Sequence, residues 1–508
     1  MTAAAGSGAG LSRRGGADTI IDLGAAELTS TAADLLATDH RLALVAAHDD
    51  GDQLRVVYLF TGGPPDRRVE LHVRTGTRRP SVPSLASLSF PGSRFEREMH
   101  DLFGIEPVGH PFRRRLVRHR GWPEGWHPMR AGAGAPPAVV TQAAPFPFAQ
   151  IRGAGVYEIP VGPVHAGLIE PGHFRFWVVG ETILKMKARL WFLHKGMERL
   201  FQGRTPMEGI ELAERISGDT AVGHGIAYCL ALESAIGTVV PDRAQELRAI
   251  LLEMERLYNH VADIGALCND AGFGLAQARA LILRERLLRL NDAITGHRLL
   301  RGGTVLGGAQ VRRLPTGPEL TEIGERAAAL VDLARSHPVV MDRFSGTAVL
   351  TAPQARDIGV LGVVARACGL ELDARVAHPF VAGGPTIRPA CRTTGDVLAR
   401  FDVRAEEVAA SLTLLRCLVD GGGPLASTAP GAASGPPTGH GTGIVEGWRG
   451  SIVHRVELNR HGRLSRVKVV DPSFLNWPAL SVALADTIVP DFPLANKSFS
   501  LSYAGNDL

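Results

Sequence analysis

Apolar residues recur at three- and four-residue steps through 241–264, where Leu247, Ile250, Leu251, Met254, Leu257, Tyr258, Val261 and Ile264 form one stripe. With Pro241 and Asp242 suited to its first turn, this predicts a long amphipathic helix with one buried face. Similar periods predict helices over 220–236, 276–300, 318–336 and 393–419, and Thr351 with Gln354 forms a capping-box pattern before a helix over 353–368. Earlier in the chain, 42–47, 54–61 and 68–74 are short strand-like runs broken by Asp, Gly and Pro, followed by a helix over 93–103 opened by Ser93. The runs 159–164 and 174–180 flank a loop containing His165, Glu170 and His173, which predicts a hairpin. The stretch 444–470 alternates as strands and returns the chain toward the core at 471–476.

These elements predict an α+β protein of two domains. A small polar tail over 1–17 reads as disordered, and a small α+β domain spans 18–130. An Ala-, Gly- and Pro-rich linker covers 131–150, and a mainly helical domain with peripheral hairpins fills 151–508. Within the second domain, 421–443 reads as a low-complexity loop, mobile or wrapped on a partner. No internal repeat is apparent.

Composition narrows the function classes. At 508 residues and 45% hydrophobic, the chain suits two or more buried cores. No run approaches the roughly 20 apolar residues of a membrane span, and the start lacks the form of a signal peptide, so a cytoplasmic protein is expected. Five cysteines at 229, 268, 368, 391 and 417 stand singly, which fits a reducing compartment and argues against an iron-sulfur cluster held by this chain alone. A formal charge of +4 gives no reason to propose nucleic acid, and the basic run 113–120 reads as a solvated or docking face. Glu96, Glu98 and Asp101 invite a metal reading, but helical residues two apart do not share a face. A salt-bridged knot with Arg113, Arg114 and Arg115, or a subunit interface, is the stronger expectation.

Two short stretches carry the candidate chemistry: RISGDTAVGH at 215–224 and VDPSFLN at 470–476. With GPVHAGLIEPGHFRF (162–176), HKGMERL (194–200), VVPDRAQELRAILLEMERLYNH (239–260), GVLGVVARACG (359–369) and GDVLARFDVRAEE (395–407), they resemble a known superfamily. It contains membrane-bound nickel-iron hydrogenases of the formate hydrogenlyase and hydrogenase-4 type and the 49 kDa subunit of respiratory complex I. The N-terminal stretch FEREMHDLFGI (95–105), with Gly109-His110-Pro111 and Arg113 to Arg115, resembles the 30 kDa subunit of complex I. Fusion of the two modules in this order is typical of hydrogenase-like and bacterial complex I relatives.

The resemblance implies a site where the 162–176 hairpin, the 215–224 turn and the 471–476 turn meet, facing an iron-sulfur subunit. Hydrogenase relatives bind nickel and iron there through four cysteines, at positions that hold Ser217, Thr220, Ser473 and Asn476 in this chain. Hydroxyls and an amide cannot replace soft thiolates, so no nickel is expected. In complex I relatives the same space admits a quinone headgroup, with a loop His and a turn Tyr as proton donors. His165 matches the first loop position, Ile169 and Glu170 fall near the second, and Gly218 stands where the Tyr would be.

Glu170, Asp219 and His224 are the candidates for proton transfer, a role that burial of a carboxylate beside a His would support unless the carboxylate is paired. His165, His173, Thr220, Ser473 and Asn476 would line the cavity. Arg215 and Arg301 would face the partner's cluster, where a cation favours the electron-rich state. Plainer readings stand beside these: Asp219 as a helix cap, His224 as a hydrogen-bonded core histidine, and Ser473 and Asn476 as hydrogen-bonding fillers. Glu170 matches a hydrogenase Glu that binds structural magnesium or passes protons.

The partners implied are a small iron-sulfur subunit of the complex I 20 kDa type with a [4Fe-4S] cluster, a ferredoxin-like subunit, and antiporter-like and anchor subunits in the membrane. The chain would lie peripherally on the cytoplasmic membrane face. The expected function is the redox subunit of an NADH-quinone oxidoreductase-like or hydrogenase-4-like complex. A non-redox coupling or scaffold subunit is the alternative, and the missing thiolates disfavour a working hydrogenase.

Overall fold

In the computed structural model the chain divides into two compact units, Met1–Phe148 and Ala149–Leu508. The residues described are 11–14, 18–139, 146–148, 150–166, 169–381, 387–429 and 439–508.

The first unit is built on a five-stranded sheet in the order Leu11–Arg14, Asp18–Leu23, Arg67–Gly76, Gln53–Gly62, Arg41–Asp49. The pairing of Asp18–Leu23 with Arg67–Gly76 is parallel and the other pairings are antiparallel. Residues 11–14 therefore form a strand inside the stretch read as a disordered tail, while 1–10 and 15–17 lie outside the described residues. The helix Phe90–Phe103 packs on the Arg41–Asp49 strand. It opens at Ser89, not at Ser93, because Ser89 is extended, its hydroxyl accepts from the Gly92 N–H, and Pro91 suits the first turn.

The ion pair expected of Asp101 with Arg113 to Arg115 is made one turn of chain later, with Arg118. Asp101 also accepts from the backbone N–H groups of Leu116, Val117 and Arg118, while Arg113 pairs with Glu106. Glu96 accepts from the Ser84 hydroxyl and the Leu85 N–H. Asp101 and Glu96 thus each tie a loop to the helix.

In the second unit the helix Asp242–Asp270 is the central element, packed against Gly274–Thr295, Val397–Asp420 and Phe492–Phe499. The predicted stripe is fully buried, each Leu or Ile contributing roughly 1.5–3 kcal/mol, but the helix is not one-faced: every residue from 247 to 261 is buried, with Arg248 and Arg256 paired to carboxylates inside. The next helix stops at Thr295 rather than 300 because Gly296 turns left-handed at φ 87. The single helix expected over 353–368 is two, Ala352–Ile358 and Gly362–Ala367. Gly359 ends the first at φ 76, and a side chain at Gly362 would bring its Cβ to 2.0 Å from the Arg449 carbonyl oxygen.

The predicted hairpin gains a third strand, giving an antiparallel sheet of Val156–Val161, His173–Val179 and Thr182–Arg189. A second antiparallel sheet, Gly439–Gly447, Gly450–Leu458 and Leu464–Val470, lies against the helix Ala221–Ile236. The 421–443 segment is consequently not one loop: Ala426–Thr428 pairs with Gly308–Gln310, Gly439 onward is strand, and 430–438 lies outside the described residues. Its alternating glycines allow strand and helix backbones to touch. Added Cβ atoms at Gly439, Gly441 and Gly443 would fall 2.1, 2.4 and 2.0 Å from the carbonyl oxygens of Ala235, Ala231 and Ala227.

Candidate functional site

The turn that carries Ser217, Asp219 and Thr220 precedes the Ala221–Ile236 helix. Thr220 occupies the capping position without capping the helix. The first helical N–H groups, of Val222 and Gly223, are satisfied instead by the buried carboxylate of Glu255 from the central helix, at 2.7 and 3.0 Å. Burial pushes Glu255 up to about 8, although those two N–H groups oppose the shift.

Asp219 is held from the opposite strand pair. The Trp448-Arg449 turn between Gly447 and Gly450 extends Arg449 to Asp219, with Nη1 donating to Oδ1 at 2.7 Å and Nη2 to Oδ2 at 2.6 Å. The hydroxyls of Ser217 and Thr220 donate to the same carboxylate, each at 2.9 Å. Tyr258, Asn259 and Trp448 donate to the Asp219 carbonyl. Burial raises the proton affinity of Asp219, but the Arg449 charge and these donors outweigh it and hold the carboxyl at about 2. Asp219 is thus an ionised anchor at neutral pH and not the raised-affinity carboxyl that a proton relay requires.

His224 stands one helical turn further on, fully buried. Its Nε2 lies 3.1 Å from Asp471 Oδ2 and its Nδ1 lies 3.0 Å from Nε2 of His454. Burial raises Asp471, but His224, Arg449 and the Ser473 side chain together lower it below the usual carboxylate range. Burial, reinforced by His224, holds His454 well below the usual imidazole range. His454 Nδ1 has no partner among the described residues. A bare lone pair there costs less than a buried unpaired N–H, so the network assigns His454 Nε2–H donating to His224 Nδ1 and His224 Nε2–H donating to Asp471.

The three predicted segments are joined by a fourth, Ser500 to Leu508. Ser502 Oγ lies 2.8 Å from Ser217 Oγ, and its N–H donates to Ser473 Oγ at 3.0 Å. Arg449 Nε donates to the Ser500 carbonyl. Two residues past Ser502, the Ala504 N–H donates to Glu170 Oε2 at 3.1 Å, which brings the hairpin loop to the same place. Glu170 makes no hydrogen bond with Asp219 or His224 among the described residues.

Other candidates serve the scaffold around this junction. Asn476 clamps the helix break at Leu361, accepting from its N–H at 2.8 Å and donating to its carbonyl at 3.1 Å. His165 and His173 brace the loop by contacting the carbonyls of Gly172 and Gly162. Arg215 donates to the Glu211 carbonyl, and it shares a neighbourhood with Arg301, since both act on Glu214 and His297.

Comparison with known proteins decides the family. Residues 24–135 match the respiratory-chain NADH dehydrogenase 30 Kd subunit, 195–268 match nickel-dependent hydrogenase, and 270–430 match the respiratory-chain NADH dehydrogenase 49 Kd subunit. Formate hydrogenlyase subunit 5 of Escherichia coli (strain K12) is 32% identical over 86% of this chain and 79% of its own. The chain belongs to the complex I and nickel-dependent hydrogenase family.

Within the family, hydrogenase-4 component G of Escherichia coli (strain K12) is 32% identical over 81% of this chain and 73% of its own. The C/D protein of NADH-quinone oxidoreductase from Phocaeicola vulgatus is 28% identical over 72% and 75%. The solved membrane-bound sulfane sulfur reductase, an archaeal respiratory membrane complex, contains a chain similar to this one at 26% identity and a TM-score of 0.64, covering 70% of this chain and 99% of that one. This chain is accordingly a subunit of a complex of the hydrogenase and complex I-like class. No helix among the described residues is long and apolar enough to cross a membrane.

Sequence reasoning missed Arg449, His454, Glu255 and Ser502. The glycines on either side of Trp448-Arg449 mark a tight turn, so Arg449 left a faint signal, whereas His454 lies in a strand buried on both faces. Ser502 left none.

Proposed function

We propose that this chain is the redox subunit of a membrane-associated complex, NADH-quinone oxidoreductase-like or hydrogenase-4-like. Electrons would come from a [4Fe-4S] cluster on a small iron-sulfur partner and pass to a quinone-type carrier beside the Ser217–Thr220 turn. A ferredoxin-like subunit upstream and antiporter-like and anchor subunits in the membrane complete the assembly, with the chain on the cytoplasmic face. One observation carries the reading: a buried Asp471, His224 and His454 chain lies beside four positions that hold hydroxyls and an amide, each engaged in a hydrogen bond. That donor set does not suit nickel.

Reduction of a quinone to a hydroquinone takes two electrons and two protons, so the site must steady negative charge and manage protons. Arg449 and Asp219 neutralise each other, and the pair holds the turn beside which the carrier would sit. His224 is oriented by Asp471 and backed by His454, the arrangement a proton-handling histidine needs.

The test uses the intact complex, with quinone-dependent turnover and metal content measured together. Turnover with iron but without stoichiometric nickel is expected, and Asp471→Asn should lower turnover at least tenfold. Stoichiometric nickel would overturn the reading. The joining of Ser217 to Ser473 through Ser502 favours a second reading, a non-redox scaffold. Ion transport that persists without quinone turnover would select it.

A further inference from the structure

Glu255, Tyr258 and Asn259 share one face of the central helix, and all three hold the segment beside which the carrier would sit. Tyr258 and Asn259 donate to the Asp219 carbonyl, while Glu255 accepts the N–H groups of Val222 and Gly223, one on each carboxylate oxygen. The Glu255 side chain is fully buried, and its surroundings at Gly223 are apolar, formed by Ile452 Cδ1 and Thr220 Cγ2.

Glu255 differs from the buried acids around it in lacking a cation. Asp219 is paired with Arg449, Glu253 with Arg256 and Arg375, and Glu407 with Arg256 and Arg366. Arg256 follows Glu255 in the chain, but its guanidinium is taken by Glu253, Glu407 and the carbonyls of Glu446 and Gly447. Among the described residues Glu255 makes no ion pair, and its oxygens meet only the two N–H groups. Desolvation therefore works against its charged form. A helix start does not by itself call for a carboxylate. Neutral hydroxyls cap other helices of this chain, at Thr205, Thr316 and Thr351, and here Thr220 occupies that place without doing so.

We infer that Glu255 sets the charge beneath the turn: holding a proton, it lets the carrier accept electrons, and on losing that proton it places a negative charge under the carrier and disfavours reduction. The inference rests on the redox reading and assigns the regulation of that site. Glu255 acts as a positioning residue, through the turn, and bonds to no reacting atom.

Few groups act on it. Burial dominates and raises its proton affinity, Asp219 on the turn adds to the rise, and the two N–H groups and Arg256 oppose it, which leaves the carboxyl at about 8. From the sheet, Arg449 is engaged by Asp219. Tyr258, on the same helix face, is held protonated by burial, with Glu255 and Asp219 adding to it. Glu255 is thus the group of this face that changes charge near neutrality. As pH rises it gives one proton to solvent. With either form of Glu255, reduction of the carrier takes two electrons from the partner's cluster and two protons from solvent, so no further reactant is needed.

The experiment follows the proton and the turnover separately. Infrared spectra of the purified full chain should lose one protonated-carboxyl band between about pH 7 and pH 9, a band that Glu255→Gln lacks throughout. In the wild type alone, protection of the Val222 and Gly223 amides from hydrogen exchange, corrected for hydroxide catalysis, should rise over the same interval, because a carboxylate is the stronger acceptor. In the intact complex, with short-chain ubiquinone and menaquinone analogues as probes, wild-type kcat should fall at least fivefold over that interval. The ratio should shrink below twofold in Glu255→Gln, whereas loss of a purely structural cap would lower turnover equally at both ends. A ratio that persists in the variant, or wild-type amide protection that stays flat, overturns the inference and leaves the redox reading standing. A wild-type complex that reduces neither quinone removes the redox reading and this role together, whatever the infrared band shows.

Discussion

Arg449 grips Asp219 through two parallel hydrogen bonds, so the cation of one tight turn fixes the carboxylate of another. The pair sets a pH dependence. Asp219 is held at about 2 against an ordinary 3.8, so its contribution to stability is present above pH 4 and is lost as pH falls through 2. The unscreened shift corresponds to about 2 kcal/mol, but the Asp219 side chain is 39% exposed and solvent screening reduces this to about 1 kcal/mol. Arg449→Met should destabilise the purified chain by about 1–2 kcal/mol at pH 7 and flatten the loss between pH 4 and pH 2. Urea unfolding across that range measures both, and identical pH profiles would refute the pairing.

His454 should stay neutral throughout the physiological range. Burial and the adjacent His224 depress its proton affinity well below the ordinary 6.5, whereas in the unfolded chain it titrates normally. The sign follows directly: the unfolded state binds the proton more tightly, so this residue removes stability as pH falls below about 6.5. Nitrogen-detected NMR of labelled histidine should find one imidazole with an unchanged neutral tautomer from pH 8 to pH 5. His454→Gln should weaken the loss of stability over the same interval. A titrating signal near pH 6.5 assigned to His454 would contradict the arrangement.

Glycine at 443 is demanded by packing, not by flexibility. Its missing side chain lets the strand approach the Ala221–Ile236 helix so closely that an added Cβ would sit 2.0 Å from the Ala227 carbonyl oxygen. Gly443→Ala must push the two backbones apart and should cost about 1–3 kcal/mol. Gly462→Ala serves as the control, since an added Cβ there meets nothing within 4 Å, and only the strain of its positive φ of 69 opposes it. Thermal unfolding of both variants separates steric conflict from conformational strain, and equal losses would argue against the close approach.

That glycine stripe also marks where the sequence became hard to read. The helix around Leu247 and Leu257 and the strands around Val56 and Leu71 were legible from their local apolar periods and runs, although the helix is buried on every side over 247–261 and the Gln53–Gly62 strand on both faces. Ser217, His224 and Ser473 were legible because fixed spacing within short turns survives changes of residue type. Gly439, Gly441 and Gly443 form the same kind of pattern, but glycine spacing resembles a flexible tract until the alanines of the facing helix are set beside it. Arg449 and Glu255 were missed for a different reason. Each acts on a turn more than 30 residues away, and no local period carries the identity of a distant partner. The paired state of Asp219 was therefore invisible, and with it the reason why this carboxylate holds its charge instead of moving protons.

The contact between Ser217 and Ser502 spans 285 residues and joins the turn to the C-terminal segment. If it is an energetic joint, the two hydroxyls must be coupled. Ser502→Ala removes the bond to Ser217 and also leaves the Gly505 N–H without its 2.8 Å acceptor, so it should cost about 1–2 kcal/mol. Ser217→Ala removes one bond to Ser502 and one to Asp219, which keeps its Arg449 partner, and should cost less, about 0.5–1 kcal/mol. The double variant loses the shared bond only once, so its destabilisation should fall short of the sum by about 0.5–1.5 kcal/mol. Urea unfolding of the four proteins completes the cycle. Strict additivity would mean that the two hydroxyls do not bond in solution, and the turn and the C-terminal segment would then be held by other bonds, among them those of Arg449, Ser473 and Glu170.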